Sequence, residues 1–378
     1  LDQAQLTTLE GLAGTRRRAR SFLFPKVFMT AYSETTAGGY LRTTRRRNLV
    51  LGGGALALVL AVLTDLFVGP GNYSPMTVIA TLLDPAAHGV RMEVIVWDLR
   101  LPVALTALVV GVMLGIAGAQ MQTILGNPLA DPFTLGISSA ASFGAALAIV
   151  LGIGLIPVGG SMLVTANAFL FALLTSGLLY LITRMRGVSA ETMILVGIAL
   201  LFTFNALLAL LQYGASEVQL QQVVFWMMGS LGRASWEKIL GASVLLAILV
   251  PLMIHRRWGL TALRLGDDKA SSLGVNVTRL RIEMLVCISL LAATSVSFVG
   301  TVGFVGLVGP HIARILVGED QRFFLPLSGI CGGLILSIAS TVSKAVVPGV
   351  IYPVGIITSL IGIPFFISLV MKSRRRIW

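Results

Sequence analysis

Stretches of apolar residues long enough to cross a lipid bilayer recur along this chain, from Asn48 to Met371. A hydrocarbon core about 30 Å thick is crossed by roughly 20 residues of α-helix. Ten segments meet or approach that length: 49–68, 102–122, 134–153, 162–183, 192–213, 238–254, 282–300, 304–317, 325–347 and 353–371. The eighth is short enough to be a partial or tilted span. Of the 378 residues, 56% are hydrophobic and 12% are charged, whereas a soluble domain carries about a quarter charged residues. The 41 glycines fit the same picture, because helices in lipid associate through small residues that let backbones approach closely. The expected fold is all-α, a polytopic membrane protein of about ten transmembrane helices.

A net charge of +12 could point to nucleic acid, but the basic residues cluster between the apolar spans. With the N-terminus placed in the cytoplasm, 23 of the 28 Lys and Arg residues fall on inside segments. Five remain outside or at outer helix ends: Arg91, Arg100, Arg233, Lys238 and Lys344. The positive-inside rule then predicts both termini cytoplasmic and no nucleic-acid partner. Residues 1–47 read as a basic cytoplasmic leader and 48–378 as the ten-helix domain. The run from Leu49 to Val68 is longer than a signal-peptide core and lacks an A-x-A exit, so it reads as an uncleaved first helix. Cys287 and Cys331 each sit within an apolar span and read as small buried hydrophobes. The three histidines show no metal-ligand spacing.

Outside, the connection Gly69–Leu101 holds an expected interfacial helix at Pro75–Leu83, and a second is expected at Val218–Met228. Inside, His255–Arg281 is the largest connection between spans. It is polar, carries Asp267, Asp268 and Lys269, and reads as two helical pieces split near Gly274. The chain holds no G-x-x-x-x-G-K-[ST] phosphate loop, so ATP is not bound by that route. No nucleophile, base or metal set is assembled, which argues against a membrane hydrolase. Asp65 is the one carboxylate well inside a span, near its outer end, and is expected to reach for the interface. A proton- or ion-coupled carrier would need more such groups. Two segments are unusual for lipid-facing helix: Gly126–Pro132, and Gly300–His311 with its glycine at every third position. The second reads either as close helix packing or as a path-lining hinge at Gly303, Gly306, Gly309 and Pro310.

These segments carry a resemblance. Trp97-Asp98-Leu99-Arg100-Leu101-Pro102, Gly118-Ala119-Gln120-Met121-Gln122 running into Gly126–Gly136, Phe225–Gly232, Gly303–Arg314, Leu325-Pro326, Pro353-Val354-Gly355 and Gly362-Ile363-Pro364 match, in order and spacing, the FecCD-type (BtuC-like) permeases. That family imports ferric siderophores, haem and cobalamin. The resemblance runs from about residue 48 to the C-terminus.

What it implies is a permease subunit of an ATP-driven ABC importer in the bacterial inner membrane, working by alternating access. Implied partners are a second permease copy (identical or a paralogue), two cytoplasmic ATPase subunits and a periplasmic or lipid-anchored binding protein. The chain is then no enzyme and holds no cofactor of its own, ATP and Mg being bound by the ATPases. Arg100 and Lys344 match basic residues that dock the binding protein, while Val103 stands where the family has a second arginine. The inner gate maps to Asn127, Leu129, Ser189 and Ala190. The segment 258–281, with Leu265, Gly266, Asp267, Asp268, Ser272 and Gly274, matches the ATPase coupling loop. A ferric siderophore is the favoured cargo. The alternative is a channel or secondary carrier that works without ATP.

Overall fold

In the computed structural model, residues 26–373 are described, apart from 72, 158, 187, 188 and 348. Most of the expected basic leader, and the basic tail 374–378, lie outside the described residues. The chain divides into two compact units, residues 1–48 and 49–378. Among the described residues the architecture is helical throughout, with no strand. The helices are α1 (Lys26–Phe67), α2 (Pro75–Leu83), α3 (Leu101–Ile124), α4 (Ile137–Leu151), α5 (Ser161–Arg186), α6 (Ala190–Tyr213) and α7 (Glu217–Met227). They continue as α8 (Trp236–His255), α9 (Arg257–Leu263), α10 (Asp267–Ser272), α11 (Val277–Val299), α12 (Val305–Val317), α13 (Gln321–Ala345) and α14 (Val354–Ser373).

Seven of these segments are long and apolar enough to cross a membrane, and α4, α12 and the apolar part of α14 are shorter apolar helices. The ten spans expected from sequence correspond to these ten segments one by one. The third is shorter than expected, because Pro132–Leu135 is a 3-10 turn and the helix starts at Ile137. Gly136, at φ +82, makes that break in a conformation few other residues adopt. The two helices expected at the outer interface form as α2 and α7, with Ser74 and Ser216 capping their first turns.

α3 lies at the centre. Its inner two-thirds is almost wholly buried, between α13, α12 and α11. Gly111 and Gly115 face the backbone of α13 at Gly332 and Ser328, and Gly118 faces the backbone of α12 at Gly306. A Cβ at any of the three would collide with main chain, which cannot yield as a side chain can. This is small-residue packing of the kind that holds helices together in lipid, where burial of apolar surface contributes little. By contrast α1, α6 and α8 keep rows of large apolar residues exposed, among them Leu56, Leu60, Leu195, Phe202, Leu240 and Ile248, as expected of faces meeting lipid or another subunit.

Candidate functional site

Three layers of α3 surroundings position the residues of interest. At the outer end, Pro102 has no N–H to offer the carbonyl four residues back, and the chain before it winds wider. Val94–Arg100 is a π-helix in which the Leu101 N–H reaches the Val96 carbonyl. The Arg100 guanidinium turns inward and donates to four carbonyls: Leu66 at 3.4 Å, Phe67 at 3.0 Å, Pro70 at 3.2 Å and Gly71 at 3.0 Å. It thus closes the end of α1, whose last carbonyls have no helical donor. Lys344, in the last turn of α13, lies 2.7 Å from the Asp65 carboxylate and donates to the Asp65 carbonyl at 2.6 Å. Ser340 and Thr341 donate to the same carboxylate at 2.9 and 3.1 Å.

This arrangement corrects two expectations. Asp65 does not reach for the interface: it is 0% exposed and neutralised by Lys344. Arg100 and the Lys344 side chain are each 6% exposed, with their donors engaged inside the protein. Neither presents its charge to an external partner. The reason is that the chain ends of α1, α3 and α13 meet here, leaving carbonyls and a carboxylate that need cations.

At mid-height three connections are stitched together. Ser230 N–H donates to the Val299 carbonyl at 2.7 Å, Val354 N–H to Gly229 at 3.1 Å, and Gly355 N–H to Met228 at 3.1 Å. The Thr301 hydroxyl donates to the Met227 carbonyl. Phe304 is the only non-glycine among the described residues with positive φ (69°). Its ring occupies the space where Gly362 of α14 lacks a side chain. Such a conformation persists only where the surroundings fix it. Beside it opens a cavity of about 520 Å³, walled by apolar residues and small hydroxyls such as Thr301 and Ser359. Gly303 lines that cavity, whereas Gly306, Gly309 and Pro310 are buried in helix packing. The close-packing reading therefore holds for Gly306, Gly309 and Pro310, while Gly303 stands apart from that packing.

At the inner end, Gly126 (φ +59) ends α3 and Asn127 folds the following turn, its Oδ1 accepting from Leu129 N–H at 2.9 Å. Leu129 is exposed. Asp131 caps the Pro132–Leu135 turn, accepting from Phe133 N–H at 2.9 Å. Burial pushes the Asp131 carboxyl up to about 6, against the lowering effect of that hydrogen bond. Leu135 packs against Gly197 of α6, so the loop and α6 form one packed unit. Ser189 caps α6, its hydroxyl accepting from Thr192 N–H at 3.1 Å, with Ala190 as the first helical residue.

The segment 258–281, expected to couple to an ATPase, comprises α9, α10 and the start of α11. It breaks at Gly266 (φ +96) as well as near Gly274, which separates α10 from α11. Asp267 is held by Arg281 in a bidentate pair of 2.6 and 2.9 Å, and the same guanidinium donates through Nε to the Ile124 carbonyl at 3.0 Å. One side chain thus ties the coupling segment to the inner end of α3. A second link runs from Arg264 to Glu319, which also lies 2.7 Å from Arg314. Arg314 in turn donates to Gln122 at 2.8 Å. Gln120, Gln321 and Thr123 form a second buried chain of hydrogen bonds beside it. Asp268, Ser272 and Leu265 are exposed. Sequence reasoning did not assign Arg281, Arg314, Glu319 or the glutamines any role. The available signal was three polar residues, Gln120, Gln122 and Thr123, inside an otherwise apolar span.

Residues 57–372 match the profile of the FecCD transport family. An ABC transporter permease protein of Methanocaldococcus jannaschii is 38% identical over 332 residues, covering 85% of this chain and 94% of the relative. The hemin transport system permease protein of Yersinia pestis is 34% identical over 321 residues, covering 85% of this chain and 96% of the relative. Among solved structures, a metal-chelate type ABC transporter in an inward-facing conformation superposes with a TM-score of 0.75 at 32% identity, over 86% of this chain and 99% of that one.

Proposed function

Because the chain belongs to the FecCD transport family, we propose that it is the permease subunit of an ATP-driven importer that carries a metal chelate, best a ferric siderophore, across the inner membrane. The observation that carries the mechanism is the Arg281 bridge. It joins Asp267 of the coupling segment to the Ile124 carbonyl at the inner end of α3, immediately before the loop holding Asn127 and Leu129. A displacement of α9–α10 by a cytoplasmic ATPase is passed directly to that loop. Exposed Leu265 and Leu273 on the coupling segment supply apolar contacts for such a partner, and Asp268 and Ser272 supply polar ones.

The working assembly comprises two permease copies, two ATPase subunits that bind ATP and Mg, and an external binding protein. The path lies between the copies, with Gly303 at its wall and the 126–131 loop, with Ser189 and Ala190 at the start of α6, as inner gate. Arg100 and Lys344 hold the outer ends of α1, α3 and α13 together, so binding-protein docking falls to other outer residues. An ATP-independent carrier is disfavoured because the relatives and the superposing structure are ABC transporter proteins.

The test is uptake of radioactive iron chelate into vesicles holding permease and ATPase, with the binding protein outside. Uptake should require hydrolysable ATP and the binding protein. Accumulation at full rate without ATP would replace this reading with the carrier.

A further inference from the structure

A cavity of about 1090 Å³ opens at the outer end of the bundle, between α7, the start of α5, the α7–α8 connection and the residues preceding α14. Small-molecule sites occupy roughly 300–1,000 Å³ and combine apolar or aromatic walls with a few convergent polar groups. Here Phe225 and Tyr352 supply the aromatic faces and Gln221 and Gln222 the amides, while Trp226 is buried beneath Arg233. Two cations also line it, Arg233 and Lys238, with one carboxylate, Glu237.

Glu237 is exposed, and the hydrogen bonds recorded for the two cations go to carbonyls instead. Arg233 Nη2 donates to Val299 at 3.1 Å and Trp226 at 3.5 Å, and Lys238 Nζ donates to the Arg233 carbonyl at 2.9 Å. Closing the last turns of α7 and α11 accounts for Nη2, since cations are favourable at helix C-termini. It does not account for Arg233 Nε, which is buried without a hydrogen-bond partner, nor for a second cation beside it. Burial pushes Arg233 down to about 10, so it remains charged at neutral pH. Partly buried cations without an anionic partner are unfavourable, and an incoming anion relieves that.

We infer that this cavity receives the chelate on its way in and favours anionic chelates, those with peripheral carboxylate or catecholate oxygens, over neutral ones of the same size. The inference rests on the importer reading. Anionic oxygens form charge-assisted hydrogen bonds with the two cations, while the chelate's aromatic parts lie against Phe225 and Tyr352.

The probes are a trianionic ferric tris-catecholate and a neutral ferric trihydroxamate, measured by equilibrium dialysis against the full chain assembled with its ATPase in nanodiscs. The trianion should bind about tenfold or more tighter than the neutral probe at low salt. Arg233→Gln and Lys238→Gln should each weaken the trianion about three- to tenfold and leave the neutral probe unchanged, and Arg233→Lys should retain most of the affinity. Should Arg233→Gln fail to assemble, Lys238→Gln decides alone. Equal affinity for both probes, no binding of the trianion, or unchanged affinity in the glutamine variants overturns the inference. ATP-driven uptake of both probes at equal rates overturns it while the importer reading stands. If ATP drives uptake of neither probe, nor of haemin or a cobalamin, the importer reading falls, and this inference with it.

Discussion

Asp65 and Lys344 stand 279 residues apart and meet with almost no exposure to solvent. Removing one partner of such a pair leaves an isolated buried charge, at a cost of about 3–5 kcal/mol, whereas replacing both by apolar groups is often nearly neutral. Lys344→Met should therefore lower the unfolding temperature in detergent markedly, and adding Asp65→Leu should recover most of the loss. A double variant as unstable as the single one would mean that the charges are not acting as a pair. Asp131 offers a test by pH. Its carboxyl is raised from 3.8 to about 6, so the folded protein holds the proton more tightly than the unfolded chain. This group's contribution to stability is complete below about pH 4 and is lost as pH rises through about 6. Asparagine caps helical turns as well as aspartate does, so Asp131→Asn should equal the wild type near pH 4 and be more stable above pH 6. Equal pH slopes for the two proteins in unfolding scans would contradict this. The pairing was not legible in the sequence. Asp65 and Lys344 each sit at a span end, where an interfacial charge looks ordinary, and only the fold brings α1 against α13.

The spans themselves were legible because lipid leaves the backbone few choices, and the apolar runs mark the helices to within a few residues, except that α1 begins at Lys26, well before Leu49. The helical pieces of segment 258–281 were legible, but the first of its two breaks was not. Both Gly266 and Gly274 have positive φ, and sequence alone does not say which of two glycines divides the two short helices. Knowing the fold separates two neighbouring carboxylates by role. Both are exposed, but the Asp267 carboxylate is held by Arg281 within the chain. Asp267→Asn should leave the ATPase bound while reducing uptake per ATP hydrolysed severalfold, because the link to α3 is loosened. Asp268→Lys should instead weaken co-purification of the ATPase. Wild-type coupling in Asp267→Asn would show that the stroke reaches α3 by another route, the Arg264–Glu319–Arg314 link being the next to test.

For the molecule as a whole, the distribution of basic residues predicts that segment 255–281 is cytoplasmic and the α2 connection outside. Ser272 and Ala86 are both exposed. A cysteine at Ala86 should react with a membrane-impermeant thiol reagent in intact cells, and one at Ser272 should react only after the membrane is opened. Labelling of Ser272→Cys from outside would invert the topology. α3 spans this distance as a single rod. Arg100 precedes its outer end, Arg281 grips its inner end, and Gly111, Gly115 and Gly118 lie flush against neighbouring backbones in between. Such a rod has a fixed phase. Each residue turns an α-helix by about 100° and lengthens it by about 1.5 Å. One alanine inserted after Leu114 would swing Gly118 away from Gly306 and the Ile124 carbonyl away from Arg281. Four inserted residues would restore the facing but push the grip about 6 Å too far. Chains built on this plan can vary their loops, but the number of residues between those two arginine contacts is not free to drift.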